Sequence, residues 1–259
     1  MEIRLLLSAL FSVIVLALSC GGGEVSTGNA PTPVHEAGPG EAEAHLQAGA
    51  ALAGEGLLEE AIAEYDDAIR LDPLSATAYN HRGLSFDGLG EYQRAIEDYD
   101  EAIRLDPQYA LAYSNRGNSY SGLGKYRRAI EDYNEAIRLI PQYGVVRYNR
   151  GIAFHNLGQH QLAIQDYDEV IRLIPGYADA YNNRGAAYRD LGQVEQAIRD
   201  YGEAIRLDPQ YALAHANRAL AYTLLGHDEE AQQDVSRAAG LGSDRDDLEG
   251  AIEELKKQR

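Results

Sequence analysis

From residue 42 onward the sequence repeats itself every 34 residues without an insertion, and nothing else in the chain restricts the fold as strongly. A unit this short cannot bury an apolar face alone, so each must pack against the next, giving an elongated stack and not a globule. The units begin at Ala42, Ala76, Ala110, Gly144, Ala178 and Ala212, which divides residues 42–242 into 42–75, 76–109, 110–143, 144–177, 178–211 and 212–242.

Inside one unit, apolar and small residues recur at helical spacing over 110–123 and again over 126–139, predicting two amphipathic helices of about 14 residues. Gly124 separates them and Pro141 ends the second. Gly117 and Ala129 are small where the two helices must approach closely, and Tyr113, Tyr120 and Tyr133 fill the remaining space. The aromatic composition has the same origin, since 18 Tyr stand against 3 Phe and no Trp. Tyr-x2-Arg-Gly-x2-Tyr, then Ala-x3-Tyr, then Pro at this period resembles the tetratricopeptide repeat (TPR) pattern. That resemblance implies an all-α, right-handed α-α superhelix of twelve helices, with a protein or peptide partner held on a concave face lined by the first helix of each repeat. Repeats 1 and 6 depart most from the pattern: Ala48 and Leu52 replace Arg and Tyr in the first, and Ala219, Asp228 and Val235 replace Gly, Tyr and Tyr in the last. Residues 243–259 predict a closing helix capped by Ser243, whose stripe of Leu248, Ile252 and Leu255 covers the last repeat.

Upstream lies a different kind of sequence. An apolar run from Leu5 to Leu18, interrupted by Ser8 and Ser12, is 14 residues long, short of the ~20 needed to span a bilayer and suited to a signal peptide over 1–19. Leu16-Ala17-Leu18-Ser19-Cys20 resembles the bacterial lipobox, although Ala17 and Leu18 depart from its commonest form. The resemblance implies that Cys20, the only cysteine in the chain, carries lipid. Residues 20–41 are polar and rich in Gly and Pro, a tether with an end-to-end distance of roughly 25 Å. The expected location is the extracytoplasmic side of the cell membrane, held by the lipid anchor.

Composition narrows the chemistry. With 23 Lys+Arg against 41 Asp+Glu the formal charge is −18, which opposes phosphate backbones and excludes nucleic acid as a natural partner. There is no phosphate-cradling glycine loop, zinc-protease helix or nucleophile elbow. The seven histidines show no i, i+4 pair on one helix, so no metal site, cofactor or enzyme activity is expected. Family members that grip a terminal carboxylate use Lys and Arg on the first helices; the second and fifth places here, from Glu43 and Leu46 to Leu213 and Ala216, hold neither. The expected function is a non-catalytic scaffold or adaptor, with self-association into homo-oligomers as the alternative.

Two rows of residues return to the same face at every repeat. The seventh place holds Arg82, Arg116, Arg150, Arg184 and Arg218, and each second helix carries an acid: Glu64, Asp98, Asp132, Asp166, Asp200 and Asp234. Because repeat 1 has Ala48 at the arginine place, forward pairing of Glu64 with Arg82, Asp98 with Arg116, and so on along the chain uses every arginine. A ladder of ion pairs between repeats is therefore expected. The sixth place holds Asn115, Asn149, Asn183 and Asn217, each able to donate and accept. This row resembles the asparagine ladder of the glycosyltransferase that modifies Ser and Thr with N-acetylglucosamine, and implies contact with a partner's backbone; the same amides can instead bond within the scaffold. Val145, Tyr148, Ile152, Leu213 and Leu220 on the same helices are expected to add apolar pockets.

Overall fold

The structure is a computed structural model that describes residues 39–258. The signal peptide, Cys20 and most of the tether fall outside the described residues. Thirteen α-helices run through the described residues, with no strand among them. Repeats 1 to 3 comprise α1 (Pro39–Gly54), α2 (Leu58–Leu71), α3 (Ala76–Gly88), α4 (Tyr92–Leu105), α5 (Ala110–Gly122) and α6 (Tyr126–Leu139). Repeats 4 to 6 comprise α7 (Gly144–Asn156), α8 (His160–Leu173), α9 (Ala178–Asp190), α10 (Val194–Leu207), α11 (Ala212–Leu225) and α12 (Asp228–Gly240), and α13 (Arg245–Gln258) follows. None of these helices is long and apolar enough to cross a membrane.

The turn inside each repeat is set by glycine. Gly56, Gly90, Gly124, Gly158, Gly192 and Gly226 all have φ between 70° and 82°, the left-handed region that costs a side chain but not glycine. At Gly124 the Lys125 amide donates to the Tyr120 carbonyl at 2.8 Å, closing the end of α5 in a Schellman arrangement. The second helix then folds back on the first, and the closest approach falls where expected: a Cβ on Gly117 would lie 2.7 Å from Tyr133 Cε1. Gly49, Gly83, Gly151 and Gly185 face Tyr65, Tyr99, Tyr167 and Tyr201 in the same way. These five tyrosines are almost wholly buried.

Two boundaries differ from the sequence reading. α1 already includes Pro39, Gly40 and Glu41 ahead of Ala42, taking the end of the expected tether into the first helix. The closing helix α13 is capped by Asp244 and not Ser243: Asp244 Oδ1 accepts from the amides of Asp246 at 3.0 Å and Asp247 at 3.1 Å. Leu248 and Ile252 pack on Ala219, Val235 and Ala238, so α13 covers the apolar face that a further repeat would otherwise bury.

The direction of curvature follows from which helices meet. The backbone of each first helix approaches that of the next repeat's first helix, whereas the backbones of neighbouring second helices stand further apart among the described residues. First helices therefore crowd together on the inner side, and the groove is theirs.

Candidate functional site: the groove and its two side-chain rows

The groove side of the first helices carries large apolar groups that are exposed among the described residues. Leu111, Val145 and Leu213, at the second place of repeats 3, 4 and 6, are 45%, 45% and 42% exposed. Leu84, 44% exposed, lies on α3. Ile152 and Leu220, expected in the same role, are only partly buried, packed at the edges of the repeat 4 and repeat 6 cores. Leu220 also lines a cleft with Leu224 and with Leu255 of α13.

Tyr148 does not belong to this surface. It is 5% exposed and packs against Tyr177 and Tyr167, with ring centroids 5.0 and 6.0 Å away. The fifth place is buried whatever its size, as Asn80, Ser114 and Asn182 show in repeats 2, 3 and 5, and the Tyr148 ring fills the interface between repeats 4 and 5 there. Its hydroxyl accepts from Asn183 Nδ2 at 2.8 Å.

The asparagine row is tied into the scaffold through its amide nitrogens. Asn115 donates to Asn80 Oδ1 at 3.0 Å, Asn149 to Asn118 Oδ1 at 2.9 Å and Asn217 to Asn182 Oδ1 at 2.9 Å. Every bond in the row runs to the preceding repeat's first helix, so the row stitches repeats together along the groove. The amide oxygens of Asn115, Asn149 and Asn217 accept no hydrogen bond among the described residues, whereas that of Asn183 accepts from Asn182 at 3.2 Å.

The arginine ladder exists, but its rungs differ from the expected ones. Arg82 grips Asp98 of its own repeat through Nε at 2.9 Å and Nη2 at 2.6 Å, and reaches back with Nη1 to Asp66 at 2.5 Å. Arg116 does the same with Asp132 and Asp100, and Arg184 with Asp200 and Asp168. Arg150 pairs with Asp166 and places Nη1 on the Asn134 oxygen at 2.6 Å. Pairings of Asp98 with Arg116, or Asp132 with Arg150, are thus replaced by pairings within each repeat. The physical reason is that the acid lies on the antiparallel second helix directly beside the arginine, and a guanidinium has nitrogens enough for two acceptors. Glu64 is not left over, because His45 Nδ1 lies 2.6 Å from its Oε2. Burial pushes the Asp98, Asp132 and Asp200 carboxyls up from their ordinary value, opposed by the hydrogen bonds from their arginines.

One group was missed in the sequence. His155 near the end of α7, His160 at the start of α8 and Asp190 at the end of α9 place one ligand atom each within 4.8 Å of one another. A search for i, i+4 histidines on one helix overlooks an i, i+5 pair brought together by the turn at Gly158. The third member lies one repeat further on, where only the stacking reveals it.

A stack of two-helix units around a groove of exposed aliphatic side chains and amides defines a repeat scaffold for protein interaction. Profiles described as TPR repeat match residues 49–87, 88–124 and 185–226, and profiles described as tetratricopeptide repeat match 110–143, 145–177 and 166–199. The chain belongs to the tetratricopeptide repeat family. No curated protein matches it in sequence. Among solved structures, pilF of Pseudomonas aeruginosa superposes with a TM-score of 0.70 at 19% identity, covering 85% of this chain and 98% of that one. YrrB, a TPR protein with an unusual peptide-binding site, gives 0.62 at 24% identity over 74% of this chain and 97% of its own. MamA gives 0.60 at 26% identity, covering 63% and 96%.

Proposed function

We propose that this protein is a non-catalytic scaffold of the bacterial cell envelope, tethered by lipid on Cys20, which holds an extended segment of a partner protein along the first-helix groove. The observation that carries the groove reading is the strip of Leu111 and Val145, nearly half exposed at equivalent places of adjacent repeats. Beside it, the amide oxygens of Asn115, Asn149 and Asn217 remain available to a partner's backbone N–H groups after their nitrogens are used within the stack. Aliphatic side chains seat apolar residues of the segment, and unpaired acceptors match its backbone without reading sequence. The net charge of −18 favours a partner of positive potential by steering its approach. Likeness to YrrB, itself a peptide-binding TPR protein, supports this reading at the level of fold.

Two experiments test the two halves separately. Cys20→Ala should move the protein out of the membrane fraction or leave it unprocessed; a variant cut at the same place and equally membrane-bound would reject the anchor. The pair Leu111→Asp and Val145→Asp should abolish co-purification of the native partner while leaving helicity and Tm within the range of surface changes. Retained capture by a folded double variant would reject the groove. Light scattering on the same samples separates a foreign partner from a second copy of the chain.

A further inference from the structure

We propose that His155, His160 and Asp190 bind a divalent cation of the zinc class, clamping the fourth repeat to the fifth. The three side chains come from three different helix ends, α7, α8 and α9, and their ligand atoms fall within 4.8 Å of one another. His155 Nε2 lies 2.8 Å from Asp190 Oδ2, and the two imidazoles meet edge to face with centroids 5.0 Å apart. Ligands on a tetrahedral zinc at bond lengths of about 2.0–2.1 Å stand about 3.4 Å from each other. The cluster therefore reaches that geometry by opening one contact slightly and closing the other, within the freedom of side chains at helix ends.

The donor set selects the metal. Two imidazoles and one carboxylate suit zinc, cobalt and nickel, and are poor ligands for calcium or magnesium, which take oxygen. Three protein ligands leave at least one position for water or a partner group. Asp190 is also held as metal-binding carboxylates are: its second oxygen, Oδ1, accepts from Arg189 Nε at 3.1 Å and Nη2 at 3.0 Å, which turns Oδ2 toward the histidines.

A plain hydrogen bond between His155 and Asp190 would also join the two repeats. That reading gives no task to His160, whose Nδ1 is buried without a hydrogen-bond partner among the described residues. A cation drawing His160 into the same cluster would use all three groups. The link would matter mechanically, because neighbouring units of a stack are coupled only through their shared interface.

The test uses the metal-free full chain in detergent, without a polyhistidine tag, titrated with zinc chloride by calorimetry and with cobalt chloride by absorption. The expected result is one saturable zinc site per chain and a cobalt spectrum of low coordination number. His160→Ala and Asp190→Asn should each weaken binding by at least about tenfold, while His227→Ala, an exposed histidine elsewhere, should not. Zinc should raise the Tm of the native chain and not that of His160→Ala. If His160→Ala proves unfolded by circular dichroism, His155→Asn supplies the same comparison. Equal zinc affinity in the native chain and a folded cluster variant would overturn the proposal, leaving only ions scattered over surface carboxylates.

Discussion

Repeats 3 and 6 reach the same two-helix geometry with different residues. In repeat 3, Gly117 leaves room for the ring of Tyr133, whose hydroxyl donates to Asn118 at 2.8 Å, and Arg116 is shared between Asp132 and Asp100. In repeat 6 both members of the close contact have changed together: Val235 is smaller than tyrosine, so Ala219 fits where glycine was required. The ladder is thinned as well. Among the described residues Arg218 pairs with Asp234 alone, because Gly202 occupies the place of the second acid, and His215 Nδ1 takes up the remaining capacity of Asp234 at 2.9 Å. The contrast shows that the unit is specified by pairs of residues and not by single signature positions. A terminal repeat departs from the signature without losing its geometry when both partners move.

The largest effect should come from the ladder. Asp132→Ala strips both bidentate hydrogen bonds from the largely buried Arg116 and should cost about 3 kcal/mol, read as a fall in the urea midpoint. A loss below about 1 kcal/mol would mean that the retained Asp100 carries the guanidinium, and that rungs are redundant.

Gly117→Ala comes next, with an expected cost of about 2 kcal/mol from the forced contact with Tyr133. The decisive variant is Gly117→Ala with Tyr133→Val, which installs the repeat 6 solution in repeat 3. Recovery of part of the loss, measured as a coupling in a double-mutant cycle, would support paired specification. Strict additivity would break it.

The tyrosines of the close contact divide by their hydroxyls. Tyr133 has a partner in Asn118, whereas Tyr99, Tyr167 and Tyr201 bury theirs with none among the described residues. Tyr133→Phe should therefore cost about 1 kcal/mol, and Tyr167→Phe should be neutral or stabilising. Thermal denaturation of the two variants side by side checks the sign.

The smallest effect should be a gain. Gly202→Asp restores the missing acid beside Arg218 and should add about 0.5 kcal/mol beyond the gain of Gly202→Ala, the control for replacing glycine inside a helix. A stability of Gly202→Asp at or below that of Gly202→Ala would show that Arg218 is already satisfied.

Most of this fold was legible because period and spacing are local. Gly124 and Pro141 mark turns by their own conformational preferences, and Gly117 with Tyr133 marks a contact inside one unit. The pairing of the ladder was not legible, because an arginine that binds two acids defeats counting one acid per arginine, and because His45 replaces the arginine of repeat 1 from a different place on the helix. Tyr148 looked like a groove residue from its place in the repeat, yet that place is buried in repeats 2 to 5, at Asn80, Ser114, Tyr148 and Asn182. The cluster of His155, His160 and Asp190 depends on a turn and on stacking, neither of which a search along one helix includes. The asparagine nitrogens, offered as ligand contacts or as scaffold bonds, are used by the scaffold, and so is the oxygen of Asn183; the oxygens of Asn115, Asn149 and Asn217 are what the proposed partner contact rests on.

The groove is tested most directly by a photo-crosslinking amino acid placed singly at Leu111, Val145 or Leu213 on first helices, and at Leu162 on a second helix, in intact cells. Leu162 is as exposed as the others, at 41%, so accessibility alone does not separate them. Covalent adducts to one and the same protein from the three groove positions, with none from Leu162, are the expected result. Adducts formed at Leu162 and absent from all three groove positions would place the partner on the outer face and contradict it.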